Sequence, residues 1–201
     1  MYTLLKPIKV REELLKLGIK IFTPSIFSRI FGSNINATKY FLETQTNDGL
    51  FLRLKKGFYI LKSDSPSEEE IANVLYRPSY ISFEYALAYY GMLPEMPYSV
   101  TSATTKSTRL FTVDSMSFSY RSIKKAAYTG YSLIKKDNHS FFMADKEKAL
   151  CDYLYFVSLK KSTLNDRLLI AAKKVIDMKK FSEYVALYQS DLLKKLVNSV
   201  L

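Results

Sequence analysis

The sequence predicts an α+β protein of two domains: an N-terminal domain of three short helices and a hairpin, then one with a small antiparallel sheet and a helical C-terminal part. Three observations carry this. Short helical patterns end at glycines before residue 50, alternating strand patterns crowd residues 98–144, and helical spacing holds from Asp145 onward. The polar run Ser63-Asp-Ser-Pro-Ser67 is the linker candidate, giving domains at 1–64 and 65–201. With 201 residues, 48% of them hydrophobic, the chain is long enough to bury a full core.

In the first domain, helical spacing over 10–17 ends at Gly18, and Ile21 and Phe22 suit a small strand. Thr23 and Pro24 open the next helix, because a threonine cap bonds free amide groups and proline at the first helical position presets φ. That helix runs through Ile26, Phe27 and Ile30 and stops near Gly32. Asn34 starts a third, which ends at Gly49. Residues 50–61 read as two short strands around Lys55, Lys56 and Gly57. Two short helices joined by a tight turn and followed by a basic hairpin make a winged helix-turn-helix, a shape that lays its second helix in the DNA major groove.

In the second domain, Ser67 and Glu70 form a capping box for a helix over Ile71, Val74 and Leu75. A second helix is expected over 82–91, with Phe83, Leu87 and Tyr90 at helical spacing. Residues 98–104, 109–113 and 116–123 read as strands, the last two joined at Asp114 and Ser115. A further hairpin over 131–144 turns at Asp137 and Asn138. Asp145 caps a helix presenting Ala149, Leu150, Tyr153 and Leu154, Thr163 is expected to cap the next, and shorter helices follow over 181–188 and 192–201.

Thirty Lys and Arg against nineteen Asp and Glu give a net charge of +11, a balance that draws polyanions. Residues 1–62 hold eleven basic and four acidic residues, so most of the excess lies in the first domain. If Ala37, Phe41 and Thr44 face inward, Asn36, Lys39 and Glu43 face outward. Asn34, Asn36, Thr38 and Lys39 then form the base-reading set, asparagine pairing with adenine. Arg53, Lys55 and Lys56 are the expected phosphate contacts, Arg53 and Lys55 on the strand face that alternates with Leu50, Leu52 and Leu54, and Lys56 at the hairpin tip. The expected partner is double-stranded DNA. Glu43 opposes it, and winged folds also grip proteins, so a protein-interaction module stands as the alternative. Lys106, Arg109 and Arg121, with Tyr89 and Tyr90, are candidates for a second basic and aromatic surface.

Catalytic patterns are sparse. His139 is the one histidine, Cys151 the one cysteine, and Gly32-Ser33 is followed by no Asp-x-Asp pair to hold metal ions. Asp145, Glu147 and Asp152 alternate with Lys146 and Lys148, and helix capping accounts for Asp145. Neither an enzyme, a metal site nor a cofactor is expected. No apolar run has the length of a membrane span, and the opening residues lack the pattern of a secretory signal, so a cytoplasmic protein is expected.

Five stretches, in order, resemble the AbiEi family of bacterial antitoxins, regulators of type IV toxin-antitoxin systems in abortive infection. They are residues 49–59 (GLFLRLKKGFY), 76–91 (YRPSYISFEYALAYYG), 100–109 (VTSATTKSTR), 118–121 (FSYR) and 147–152 (EKALCD). The resemblance implies an N-terminal winged helix-turn-helix that represses its own operon at inverted repeats. It also implies a C-terminal domain that counters a nucleotidyltransferase toxin encoded beside it, with direct contact left open, and no shared active site. Two features depart from the family: Lys146 stands where relatives often have proline, and the recognition helix is less basic than that role implies.

Overall fold

Backbone proximity divides the chain into two compact units, one ending at Ser67 and one spanning Glu68–Leu201. The computed structural model describes residues 5–201, so residues 1–4, where the stretch read for a secretory signal begins, lie outside the described residues. The class is α+β.

The first unit runs α1 (Pro7–Lys16), β1 (Ile21–Phe22), α2 (Pro24–Phe31), α3 (Ile35–Asn47), β2 (Phe51–Lys55) and β3 (Phe58–Leu61). Its three strands lie in the order β1-β3-β2, both pairings antiparallel. The helices bury Val10, Leu14, Phe27 and Leu42 against Phe22, Phe51, Tyr59 and Leu61 of the strands. Phe22, Phe27, Phe41 and Phe51 meet at ring-centroid distances of 5.4 to 6.4 Å, mostly tilted or edge-on, the arrangement aromatic quadrupoles favour. The expected linker is partly structured: residues 62–64 form a 3-10 turn, Arg11 Nε donates to Ser63 Oγ at 3.1 Å, and Pro66 is buried. Ser63 therefore belongs to the first unit.

The second unit contains α4 (Glu68–Leu75), β4 (Ser79–Ile81), α5 (Phe83–Tyr89), β5 (Ser99–Thr104), β6 (Arg109–Val113), β7 (Met116–Ser122), β8 (Tyr131–Lys136) and β9 (His139–Ala144). Four helices follow: α6 (Lys146–Ser158), α7 (Asp166–Lys173), α8 (Met178–Leu187) and α9 (Asp191–Val200). The sheet corrects the sequence expectation. Instead of a small antiparallel sheet it has six strands in the order β6-β7-β5-β4-β9-β8, and β5/β7 and β4/β9 pair in parallel. The hairpins β6-β7 and β8-β9 form as their turns predict, but β7 attaches in parallel to β5, the strand just before its hairpin, and β9 in parallel to β4, far earlier in the chain. β4 leaves no signal in the sequence, because three residues after a proline offer no alternation to detect.

α6 packs against α5, α8 and α9, and the run Glu147 to Leu154 is buried along its whole length. The helix after it is capped by Asn165, whose side chain accepts from Leu168 N–H, and not by Thr163. Thr163 is held differently: its carbonyl accepts from Tyr153 Oη at 2.6 Å.

Candidate nucleic-acid interface

The turn between α2 and α3 is built from side chains. Thr23 Oγ1 accepts from Ile26 N–H at 3.3 Å to start α2, and Gly32 ends it at φ +62, which only glycine takes without steric cost. Ser28 Oγ donates to the Ser33 carbonyl at 2.5 Å. Asn34 Oδ1 accepts from Ala37 N–H at 2.8 Å and starts α3. These bonds set the angle at which α3 leaves α2.

α3 is turned from its expected phase. Thr38 and Leu42 are fully buried while Ala37 is exposed. Thr38 is thereby withdrawn from the base-reading set. Its hydroxyl lies 2.6 Å from Ser33 Oγ and braces the turn, where it cannot reach a ligand. Asn34 is exposed, but its carbonyl oxygen is engaged as the cap. Opposite Thr38 and Leu42, the exposed residues Asn36, Lys39, Tyr40 and Glu43 fall at helical spacing on one stripe. Tyr40, 74% exposed, joins this stripe although it was not in the expected base-reading set. Its position four residues after Asn36 was the available signal.

In the hairpin, the register shifts at a bulge between Arg53 and Lys55, and Gly57 takes φ +82 in the turn. The expected division into leucine and basic faces is corrected: Phe51, on the alternation shared with Arg53, is fully buried, and Leu54 is buried too. The bulge allows both, since an extra residue lets the strand change the face it buries. Arg53 and Lys56 are exposed; Lys55 is half-buried, its ammonium 4.3 Å from the Phe58 ring centre.

The three cations of the proposed second surface do not converge. Lys106 and Arg109 are exposed and lie 5.5 and 5.6 Å over the same Tyr76 ring. Arg121 follows Tyr120, the cross-strand partner of Arg109, so it projects from the opposite face of the sheet. There it lies 2.8 Å from Glu84 and covers the Phe83 ring. Tyr90 also lies elsewhere, donating to the Ala144 carbonyl at 2.9 Å, and Tyr89 packs beside Tyr90 and Phe141.

A buried polar cluster in the second unit includes a charged pair. Lys148 and Asp152, one turn apart on α6, are both fully buried and form an ion pair. Asp152 Oδ1 accepts from Lys148 and from Tyr188 Oη, and Oδ2 accepts from Tyr80 Oη at 3.1 Å and Ser82 Oγ at 2.7 Å. Burial pushes the Tyr80 and Tyr188 phenols well above their ordinary range, and the Asp152 charge adds to it. With every Asp152 lone pair occupied and no exposed atom among the pair, the cluster is a structural hub.

The remaining reactive groups are placed structurally as well. Asp145 caps α6 by accepting from Lys148 N–H at 2.8 Å. His139, at the start of β9, lies 2.7 Å from Glu70 Oε2. Burial raises the Cys151 thiol well above its usual value, so it stays protonated. Among the described residues no three His, Cys, Asp or Glu side chains are grouped to hold a metal ion. No helix among them is long and apolar enough to cross a membrane. No protein-family model matches the chain, and the curated proteins contain no significant match.

Proposed function

We propose that the chain is a DNA-binding, antitoxin-like transcriptional regulator whose first unit is a winged helix-turn-helix. The observation that carries this reading is the exposed polar stripe of α3, with Asn36 and Lys39, in the same small unit as a basic hairpin tip with Arg53, Lys55 and Lys56. α3 supplies groups for base edges, the tip supplies phosphate contacts, and the net positive charge of residues 1–62 favours a polyanion. A role against a nucleotidyltransferase toxin, without catalysis by this chain and in the bacterial cytoplasm, rests on the five AbiEi-like stretches. Four of those stretches lie in the second unit.

The test is a gel shift with the promoter fragment of the chain's own operon. Binding should fall as salt rises, with a log-log slope of about −0.9 for each phosphate neutralised. Arg53→Glu with Lys56→Glu should weaken binding to all sequences alike, whereas Asn36→Ala should mainly relax sequence preference. A shift unchanged by the double reversal would remove the assignment. The antitoxin role is separable: the full-length double-reversal protein should still restore growth to cells making the neighbouring toxin from an unrelated promoter. Loss of rescue together with loss of DNA binding would reduce the chain to a plain repressor.

A further inference from the structure

We propose that β8 is a pairing edge through which two copies of this chain join about a twofold axis, Leu133 of one copy lying opposite Leu133 of the other. β8 ends the sheet, with β9 as its one neighbour. What it offers on its open side follows from what β9 does on its far side. Ser140 N–H donates to Glu70 Oε1 at 3.0 Å, Asn73 bonds both the N–H and the carbonyl of Phe142, and the Ala144 carbonyl accepts from Tyr90 Oη. These three residues of β9 therefore direct backbone groups away from β8.

Residues opposite each other in an antiparallel ladder exchange both bonds or neither. Ser140, Phe142 and Ala144 face Lys135, Leu133 and Tyr131. So Tyr131, Leu133 and Lys135 turn their N–H and carbonyl groups to the open side. Among the described residues those groups meet no hydrogen-bond partner. The same residues share one face of the sheet, and that face is apolar at its centre: Leu133 is 46% exposed and Phe142 beside it 44%. Tyr131 is fixed there by stacking on buried Tyr80, 4.5 Å between ring centres.

Lysines on an edge strand ordinarily keep it unpaired. Here the register decides otherwise. Bonding parity requires odd-numbered residues of one copy to face odd-numbered residues of the other. Centred on Leu133, that places Tyr131 opposite Lys135 of the second copy and Ser132 opposite its Ile134. No lysine of β8 then faces a lysine, and each Lys135 ammonium meets a tyrosine ring, a favourable pairing. Phe142, the two Leu133 side chains and the second Phe142 make one apolar strip across the joint. This self-complementarity points to a second copy, not a foreign strand. A single added strand pair buries less than a standard interface, so the dimer is weak and grows with protein concentration.

The test uses the full-length protein without DNA, so it stands or fails apart from the regulatory reading. Cα atoms of such a bonded pair are about 5.5 Å apart, within disulfide reach. Because Cys151 is buried, Leu133→Cys introduces an accessible thiol. Mild oxidation should yield a covalent dimer from Leu133→Cys and not from Thr112→Cys on the opposite edge strand, β6. Sedimentation equilibrium should show concentration-dependent dimerisation that Leu133→Lys weakens at least tenfold while the far-UV circular dichroism is unchanged. Equal cross-linking at both edges, or a dimer indifferent to Leu133→Lys, overturns the proposal. A monomer at every concentration with no cross-link also overturns it and leaves the edge to a strand of another protein. If Leu133→Lys fails to fold, the paired cysteine variants decide the matter.

Discussion

The two units hold themselves together by different means. The first closes on a cluster in which Phe22, Phe27, Phe41 and Phe51 meet by shape, with the hydroxyl pair Ser33–Thr38 only at the margin. At the centre of the second, a lysine and an aspartate are sealed from water with three hydroxyls from other elements. The difference lies in tolerance. An apolar cluster is non-directional and accepts another shape of similar volume, whereas a buried charge requires its partner in place.

The largest effect should come from the hub. Asp152→Asn keeps the shape but leaves the Lys148 ammonium without a counter-charge, and should cost about 3–5 kcal/mol in urea denaturation followed by circular dichroism. Adding Lys148→Met removes the stranded charge, so the double variant should be more stable than Asp152→Asn alone. Were the single variant to lose less than about 1 kcal/mol, the hub would be no more demanding than the aromatic cluster.

Alkali should separate the units next. Burial raises the phenols of Tyr80, Tyr85, Tyr120 and Tyr188, and pushes Tyr90 up to about 12. The folded state thus holds these protons more tightly than the unfolded chain. Stability from these groups is complete below the unfolded value near 10 and drains away as pH rises from there through the folded values. Hydrogen exchange across pH 9 to 11.5, corrected for intrinsic rates, should show opening accelerate in β4, α5 and β7. Equal acceleration in α2 and β2 would contradict the assignment of the effect to the second unit.

The smallest effects belong to the first unit. Phe27→Leu, a shape change inside the aromatic cluster, should cost about 1 kcal/mol, and Asn34→Ala a similar amount by removing the α3 cap. Both should appear in hydrogen exchange confined to the first unit. A Phe27→Leu cost approaching that of Asp152→Asn would erase the contrast in tolerance.

The same contrast explains what was legible in the sequence. Local chemistry could be read: Thr23 and Asn34 as caps, Gly32 as a helix stop and Gly57 as a turn, Asp145 at the start of α6, and the three hairpins. Long-range pairing could not, because nothing in β5 states that β7 will lie beside it in parallel, or in β4 that β9 will. Lys148 and Asp152 were invisible as a hub, since a lysine and an aspartate four apart on a helix read as a solvated pair. In the candidate interface, Asn36, Lys39, Arg53 and Lys56 are exposed as expected, while Thr38 was misplaced by one helical phase. A run as mixed as Asn36 to Thr46 carries too weak a periodicity to fix that phase.

The hub also imposes an order on biosynthesis. Domains emerge and close N-terminal first, and every partner in the aromatic cluster of the first unit lies before residue 68. Asp152 reaches back 72 residues to Tyr80 and forward 36 to Tyr188. A nascent chain that has already made α6 must therefore wait for Tyr188 before its charged pair is fully enclosed. Translational stalling or a premature stop in that interval would release a finished first unit tethered to an unsealed second one. Quality-control proteases would meet the two halves of such a product in unequal condition.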